Sequence, residues 1–376
     1  MRTRIPVENG QTLQALQSFL QALLTSGAVD LLLVPMRTPA GTIAPALVSD
    51  PALLVHADPL APVLPVNAAT LAGQVSVRAP RPKVGAVLRS CELRALVELV
   101  KLQQASLDDL VLIAVDCPGT LSLPDYLREP PTTRTYLWKE LFSAAISHPD
   151  EPYETLRPAC KICDQPVFEP AQIRIALLES DLSSEIQIDL SENFAEKLTS
   201  TLEPSFFSPL PLMGEGPGVR ASLVAARTAA RDIEFTALRE QMSGGSNLTS
   251  LFAACIRCHN CMTVCPICYC KTCVFKSPVF DHEPMQYLGW TKQKGAFRMP
   301  ADTTLFHLTR LNHMALSCVG CGMCTQACPA ELPVGTAFRA IGAQVQAAFD
   351  YHPGLNPDEK PPLITFKTDE WTEVGE

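Results

Sequence analysis

The sequence lacks the features of three broad classes of protein. It has no run of about 18 apolar residues, the length that a transmembrane helix needs. Its start, MRTRIPVENGQTLQALQ, has no apolar segment directly behind the basic residues, as a secretory signal would. It carries 30 Lys and Arg against 39 Asp and Glu, whereas a protein that binds nucleic acid needs a basic face. We therefore expect a cytoplasmic protein with no transmembrane segment and no nucleic-acid partner.

Two kinds of catalytic signal are also missing from the sequence. No Ser–His–Asp or paired-carboxylate pattern indicates hydrolysis, and no G-x-G-x-x-G indicates a Rossmann-type nucleotide site. Cysteine, in contrast, is abundant, with 15 residues in 376. A secreted disulfide-rich protein would be short and would follow a signal peptide. The cysteines are therefore expected to be reduced and bound to metal.

Eight of the cysteines form two copies of one pattern, C-x2-C-x2-C-x3-C-P. The two runs are Cys255, Cys258, Cys261 and Cys265, then Cys318, Cys321, Cys324 and Cys328. Two such runs are the signature of a protein with two [4Fe–4S] clusters, in which the fourth cysteine of each run ligates the other cluster. A zinc site fits less well, because it needs four ligands that usually come from two C-x2-C pairs.

The pattern therefore predicts two sets of cluster ligands. The first set is Cys255, Cys258, Cys261 and Cys328, and the second set is Cys318, Cys321, Cys324 and Cys265. His259 lies inside the first run and is expected to flank a cluster, since the cysteines are already complete. His307 and His313 lie on a predicted helix, where a surface or packing role is expected. Clusters of this kind move single electrons, so the sequence predicts an electron-transfer protein.

A strand–helix–strand pattern places two further cysteines. Residues 84–88 and 110–115 are apolar strands, and residues 92–104 form a helix between them, which predicts a βαβ unit with parallel strands. Cys91 follows the first strand and Cys117 follows the second. If the strands are neighbours, both thiols lie at the same carboxyl edge of the sheet, where α/β folds place their sites.

The seven cysteines outside the two runs allow a third [4Fe–4S] cluster to be built in two ways. One way joins Cys91 and Cys117 to the C-x2-C pair of Cys160 and Cys163, and we favour this strand-edge set. The other joins the C-x2-C pair to two of the three cysteines in PICYCKTC, which are Cys268, Cys270 and Cys273. Cys91 and Cys117 could alternatively be small buried hydrophobic residues. No firm role follows for the PICYCKTC cysteines.

The remaining pattern predicts the organisation of the chain. Helices are expected over residues 12–26, 223–242 and 305–316, and strands over 29–34, 173–175 and 186–188. Residues 204–222 are rich in Pro and Gly and are expected to be a linker or an inserted loop. We predict a mixed α/β domain over residues 1–203 and a mainly α-helical, ferredoxin-like two-cluster domain over 223–345. The tail, 346–376, should lie on a surface or a partner.

Three segments of the sequence resemble a known family. VGAVLRSCELRALVELVKL, VLIAVDCPGT and RPACKICDQP are similar to blocks of the beta-subunit family of coenzyme F(420)-reducing hydrogenases and dehydrogenases, which includes the formate dehydrogenase beta subunit. The cluster runs resemble those of members that carry a ferredoxin domain. The tail after ELPVGTAF resembles members associated with heterodisulfide-reductase-type complexes. Leu88-Arg89-Ser90-Cys91 departs from the G-T-P-C that is usual in the family.

The resemblance implies both cofactors and partners. It implies FAD beside a [4Fe–4S] cluster in the α/β domain, and it matches the strand-edge set to the family's recurrent cysteines. It also implies a soluble electron carrier, such as a deazaflavin or a ferredoxin, and a catalytic subunit of hydrogenase, formate dehydrogenase or heterodisulfide reductase type. The expected function is thus that of an oxidoreductase subunit. The alternatives are a flavin-free iron–sulfur wire between two catalytic subunits and a zinc scaffold without a redox role.

Overall fold

One mixed β-sheet organises the first half of the chain. The computed structural model describes residues 1–78, 82–192, 194–195, 208–209, 218–243, 249–295 and 301–364. The strands are β1 (Arg2–Pro6), β2 (Leu31–Arg37), β3 (Ile43–Val48), β4 (Val84–Arg89), β5 (Leu110–Val115), β6 (Ile173–Ile175), β7 (Glu185–Leu190) and β8 (Ser208–Pro209). Their order in the sheet is β3-β2-β4-β5-β6-β7-β1-β8. Strands β2, β4, β5 and β6 pair in parallel, and the outer strands pair antiparallel.

The burial of the strands follows from their sequences. Every residue of β4 and β5 is buried, as expected of apolar strands in a parallel region that is covered on both faces. Strand β7 instead alternates between buried and half-buried residues, which is typical of an antiparallel strand with one wetter face. Val84 pairs with Leu110 and Arg89 pairs with Val115, so β4 and β5 end at the same edge. The predicted βαβ unit with neighbouring parallel strands is therefore confirmed.

Helices cover the sheet and form most of the second half of the described chain. Numbered in chain order, they are α1 (Thr12–Thr25), α2 (Ala69–Ser76), α3 (Ser90–Lys101), α4 (Leu123–Arg128), α5 (Pro131–Arg134), α6 (Leu137–Ser147), α7 (Pro158–Lys161), α8 (Val219–Met242), α9 (Asn260–Thr263), α10 (Pro284–Lys294), α11 (Ala301–Met314), α12 (Met323–Gln326) and α13 (Val334–Ala348). Short 3-10 helices occupy Pro51–His56, Leu177–Glu179, Val274–Lys276, Pro278–Phe280 and Pro362–Ile364. The predicted fold class, an α/β domain followed by a mainly helical one, is confirmed.

The two faces of the sheet bury different helices. Helix α1 packs its fully buried Leu16 and Phe19 in one core with Leu32 of β2, and the alternating strand residues keep that face apolar. Helices α2 and α3 cover the other face. That second core also receives Ile267 and Val319 from the helical region. The helical region therefore packs on the α2–α3 side of the sheet.

A separate aromatic core holds the helical region together. Phe235 of α8 packs there with Phe252, Phe275, Phe306 and Phe338. Several cysteines of both runs lie in or against this core. The chain around the two cysteine runs is therefore fixed by apolar packing on one side and by the α/β domain on the other.

The bounds of some elements differ from the predicted ones. The strand expected over 29–34 begins at Leu31, because Asp30 is part of a turn in which its carboxylate accepts from the Lys83 amide at 2.7 Å. In the segment predicted as a linker, Ser208 and Pro209 pair with β1, and α8 already begins at Val219. Residues 204–207 and 210–217 lie outside the described residues. No helix of the described chain is both long and apolar enough to cross a bilayer.

The C-terminal segment packs on helix α3 of the α/β domain. The fully buried Glu98 carboxylate accepts from the Tyr351 hydroxyl at 2.7 Å and from the Gly354 amide at 2.8 Å. The buried Lys101 Nζ lies 3.3 Å from Glu98, 3.0 Å from the Tyr351 hydroxyl and 3.0 Å from Glu359. The surface on which the tail lies, as far as it is described, thus includes this chain's own first domain.

We predict that Tyr351→Phe destabilises the folded protein by about 1–3 kcal/mol, because it leaves two buried charged groups short of a hydrogen bond. Anaerobic denaturant unfolding measures the change. Tyr153→Phe is the matched control, since its hydroxyl bonds Glu140 at 2.9 Å at the surface, and it should cost less than about 0.5 kcal/mol. Equal losses in the two variants would show that the Tyr351 contact does not fasten the tail.

Candidate metal centres

The strand-edge set of cysteines borders one hollow at the edge of the sheet. Cys91 lies in the first turn of α3, directly after β4, and Cys117 follows β5. Cys160 lies on α7, and Cys163 follows two residues after that helix. All four line the same hollow, which we call the strand-edge hollow. The structure therefore brings together the favoured set, whereas the PICYCKTC cysteines do not line this hollow.

A glycine closes the wall of the strand-edge hollow. Gly119 has a φ of +111°, a conformation that residues with a side chain rarely adopt. A Cβ at this position would lie 2.8 Å from Leu156 Cδ2 and 3.4 Å from Cys160 Cβ. The turn after Cys117 therefore needs glycine in order to bring the C-x2-C segment against the strand ends.

Three arginines give the strand-edge hollow a positive lining. Arg157 is buried and donates to Cys160 Sγ at 3.4 Å and to Thr120 Oγ1 at 2.8 Å. Arg89 and Arg227 line the same hollow. Burial alone would raise the pKa of the Cys160 thiol, but Arg157 and hydrogen bonds from Thr120 lower it to about 7. The site is therefore built to hold negative charge on sulfur.

The other strand-edge thiols behave differently from Cys160. Burial, and secondarily the neighbouring Glu92 carboxyl, raises the pKa of Cys91 well above its usual value. Burial also raises the pKa of Cys117, although Arg89 opposes it. Without a metal these thiols would stay protonated near neutral pH. Metal binding must therefore displace their protons, as thiolate ligation requires.

The first set also surrounds a hollow. Cys255, Cys258, Cys261 and Cys328 line it together with His259. Cys328 comes from the second run, so this grouping matches the predicted exchange of the fourth cysteine between runs. His259 stacks on Phe306 at 4.4 Å, in the flanking position expected for it.

The second set is gathered at the boundary between the two domains. Burial raises the pKa of Cys265 to about 12, Arg310 opposes this, and the nearby Cys321 and Cys318 raise it further. Burial raises the pKa of Cys324 well above its usual value, and Cys321, Cys265 and Cys318 add to it. Cys318 and Cys321 therefore lie close enough to Cys265 and Cys324 to raise the pKa values of those two thiols.

No three Cys, His, Asp or Glu side chains in the described ranges converge closely enough to hold a single metal ion. A [4Fe–4S] cluster makes a different demand, because four irons and four sulfides must fit between its four cysteines. The four cysteines of a cluster must therefore stand apart around a hollow. The first set and the strand-edge set have this arrangement.

Cys321 joins two of the sites. It belongs to the second set, and it also lines the strand-edge hollow. The next residue, Gly322, has a φ of +71°, and a Cβ there would collide with Ala159 Cβ of α7. The missing side chain lets the second run lie directly against the C-x2-C segment. The spacing of the cysteines gave no sign of this contact, because it joins segments 160 residues apart.

His307 is a second residue whose place the sequence did not predict. It is buried, it stacks on Phe252 at 3.9 Å, and its Nε2 lies 3.4 Å from Cys255 Sγ. Burial, followed by the nearby Arg310, lowers the pKa of His307 to about 4. The ring is therefore neutral near pH 7 and can donate one hydrogen bond to the sulfur. Its role is packing, as expected, together with a contact to a predicted ligand.

The PICYCKTC cysteines lie elsewhere. Cys268 and Cys273 pack against the aromatic core of the helical region, and Cys270 is exposed. Cys273 Sγ lies 3.9 Å from Met262 Sδ. The structure gives these three residues no part in the groups above.

Comparison with known proteins identifies the cluster region. Residues 251–332 match the 4Fe-4S dicluster domain family. Two curated relatives match most of the chain. The F420-dependent formate dehydrogenase subunit beta of Methanocaldococcus jannaschii is 21% identical over 76% of this chain and 77% of its own length. The F420-dependent formate dehydrogenase 1 subunit beta of Methanococcus maripaludis is 24% identical over 75% of each chain.

The predicted relationship to the beta-subunit family, with a C-terminal two-cluster domain, is therefore confirmed. A chain of the F420-reducing [NiFe] hydrogenase complex from Methanosarcina barkeri, solved with xenon, is also similar. It aligns over 63% of this chain and 92% of its own, with 11% identity and a TM-score of 0.43. A likeness at that level supports no conclusion about the present site.

We expect Gly322→Ala to lower the free energy of unfolding by about 1–3 kcal/mol, because the new Cβ adds a strained φ to a collision at the domain boundary. Denaturant unfolding followed anaerobically measures the loss. Gly289→Ala in α10 is the control: no atom lies within 4 Å of its added Cβ, so it should leave stability unchanged or raise it by up to about 1 kcal/mol. A tolerated Gly322→Ala would contradict the close approach of the two segments.

Proposed function

We propose that this protein is an iron–sulfur electron-transfer subunit of an oxidoreductase complex, with three [4Fe–4S] clusters held by the strand-edge, second and first sets. The observation that carries the proposal is the grouping of twelve predicted ligand cysteines into three places, two of them around hollows. Bound clusters would supply one-electron transfer. The dicluster domain over 251–332 supports the two ferredoxin-type sites.

The arrangement of the three sets supports a path through the protein. Cys321 belongs to the second set and borders the strand-edge hollow, so these two sites adjoin. The first and second sets exchange their fourth cysteines, Cys328 and Cys265, so they are linked as well. Cys258 of the first set is exposed. The sets thus follow one another from the α/β domain to the surface of the helical domain.

The side chains around the strand-edge hollow suit a redox site. Arg89, Arg157 and Arg227 would offset the negative charge of four thiolates and of an added electron. Removing one of these guanidiniums should therefore make reduction at this site harder.

The names of the relatives support a proposal for the partner subunits and the electron carrier of this chain. Both curated relatives are named as beta subunits of F420-dependent formate dehydrogenases. We propose that this chain serves a catalytic subunit of formate dehydrogenase, hydrogenase or heterodisulfide reductase type. A deazaflavin would be the two-electron carrier at the α/β end, in the cytoplasm.

A second hollow could hold part of an FAD. It lies near the carboxyl ends of β2 and β4, where α/β sheets bind ligands, and it is lined mainly by apolar residues such as Pro35, Val63 and Val87. Arg89 and Leu64 border both this hollow and the strand-edge hollow. The apolar walls suit a flavin ring, which would exchange two electrons for single ones beside the strand-edge set.

One observation favours the alternative, a flavin-free wire. Arg89 is the only cationic side chain among the described residues that line this second hollow, and it already donates to the backbone carbonyls of Ala61 and Val63. A dinucleotide would need further donors for its phosphates. Flavin analysis of cluster-loaded protein separates the two functions: bound FAD supports the first, and its absence supports the wire.

The strand-edge site can be tested with Cys91→Ala. The variant should lose about four irons per chain, the content of one cubane, and keep the two ferredoxin-type clusters. Cys270→Ala is the matched control, since Cys270 is exposed and belongs to none of the three sets. Iron and sulfide analysis with electron paramagnetic resonance gives the count. Unchanged iron in Cys91→Ala would exclude this residue as a ligand.

His307 should raise the reduction potential of the first set's cluster, because a hydrogen bond to a ligand sulfur stabilises the more negative reduced state. If the hydrogen bond stabilises the reduced state by about 1 kcal/mol more than the oxidised state, the reduction potential rises by roughly 40 mV for one electron. We expect His307→Leu to lower the potential by that order in a redox titration, and His307→Gln, which keeps a donor, to recover part of it. Equal potentials in all three proteins would leave His307 with packing alone.

A further inference from the structure

Helix α10 is unusual because it buries nothing. None of its 11 residues is buried, although it carries Met285, Leu288 and Trp290, which are 72%, 58% and 37% exposed. A helix of a folded domain normally buries its apolar stripe against the core. Helix α1, for example, buries five of its residues. The apolar side chains of α10 therefore face solvent in the isolated chain.

Helix α10 is fastened to the loop that holds the first set, and this loop also exposes an apolar side chain. Ile256 lies between Cys255 and the exposed Cys258, and it is 66% exposed. Arg257 connects this loop to α10, because it donates to the Tyr287 hydroxyl at 2.6 Å and to the Phe280 carbonyl at 3.1 Å. We call the exposed apolar side chains of this region, which are Ile256, Val279, Met285, Leu288 and Trp290, the α10 face.

The α10 face is prepared as a contact surface. His282, Tyr287 and Trp290 pack edge to face, with centroid distances of 4.9 to 5.8 Å, which fixes the aromatic side chains without burying them. Aromatic and methionine side chains are enriched in protein interfaces, where rigid rings provide contact area at little cost in entropy. A helix of this kind beside an exposed predicted ligand places a docked partner next to the first set.

The charge around the face indicates the nature of that partner. Residues 255–295 contain five Lys and Arg and two Asp and Glu, whereas the whole chain has a formal net charge of −9. Lys271, Lys276, Lys292 and Lys294 are exposed. This segment is therefore a basic, apolar area on an acidic protein, and it would attract a partner with an acidic rim.

We propose that the α10 face docks a small acidic electron-carrier protein of the ferredoxin class. One electron leaves the reduced carrier, which becomes oxidised, and enters the cluster of the first set, or the reverse. The inference rests on the proposed function, because it requires a cluster in the first set. Encounters of this type bury little surface and depend on electrostatic steering, as a single exposed helix with a basic surround allows.

Stopped-flow mixing tests the proposal. The full-length, cluster-loaded protein is oxidised and mixed anaerobically with an acidic ferredoxin that has been reduced and freed of reductant. The double variant Met285→Glu, Leu288→Glu should lower the second-order rate constant by about tenfold or more, since it adds repulsion and removes apolar contact. Its iron content should be unchanged, because α10 buries none of its residues. The double variant Lys292→Glu, Lys294→Glu should react with a lower rate constant than the wild type, and that rate constant should depend less on salt concentration.

Val55→Glu is the control, since Val55 is an apolar residue, 58% exposed, on the α/β domain outside the α10 face. It should leave the rate constant unchanged. Equal rates in the control and in both α10 variants would overturn the proposal. So would wild-type dimers that dissociate in the Met285→Glu, Leu288→Glu variant, because a second copy would then occupy the face. Binding of the wild type to anionic vesicles, lost in that variant, would overturn it in favour of a membrane surface.

Dithionite separates this proposal from the proposed function. If dithionite reduces the clusters of the wild-type protein but the ferredoxin does not, docking at the α10 face is wrong and the electron-transfer function stands. If neither reductant changes the spectrum, or if the protein holds no iron, the proposed function itself fails.

Discussion

The contact between the second cysteine run and the C-x2-C segment is the constraint on which the rest of the structure depends. Gly322 has no side chain, so the loop that carries Cys321 can lie against Ala159 of α7. Arg157, one residue before α7, reaches across the same boundary to the Gln326 side chain at 2.9 Å. Because of this packing, Cys321 borders the strand-edge hollow while belonging to the second set. The predicted ligand cysteines of the two domains therefore meet at one boundary.

Charge is the second constraint, because all of the predicted ligands except Cys258 are buried or half-buried. A buried thiolate is costly unless a metal or a cation compensates it. Three arginines border the strand-edge hollow, and two of them, Arg157 and Arg227, lower the pKa of Cys160 together with Thr120. In the second set burial raises the pKa values of Cys265, Cys321 and Cys324, so these thiols would lose their protons only on binding a metal. The same contacts that close the domain boundary thus also keep these thiols protonated in the absence of a metal.

The sequence predicted those parts of the fold that depend on local pattern. The unbroken apolar runs of β4 and β5 and the helix between them identified the βαβ unit, and with it the common edge of Cys91 and Cys117. The spacing of the two runs predicted the first set, whose four cysteines line one hollow. Strand β3 and helix α10 were not predicted. Strand β3 has Pro45 near its centre and little alternation of apolar and polar residues, and α10 has no apolar periodicity. The positions of Arg157, His307 and the tail depend on tertiary contacts between distant segments, which no local pattern contains.

The most direct test of the account is a count of iron, acid-labile sulfide and zinc per chain in anaerobically purified protein. Three cubanes require about twelve irons with matching sulfide, since each holds four. That result would support all three groups of cysteines as cluster sites. About eight irons would leave the strand-edge hollow without a cluster, and zinc in place of iron would contradict electron transfer altogether.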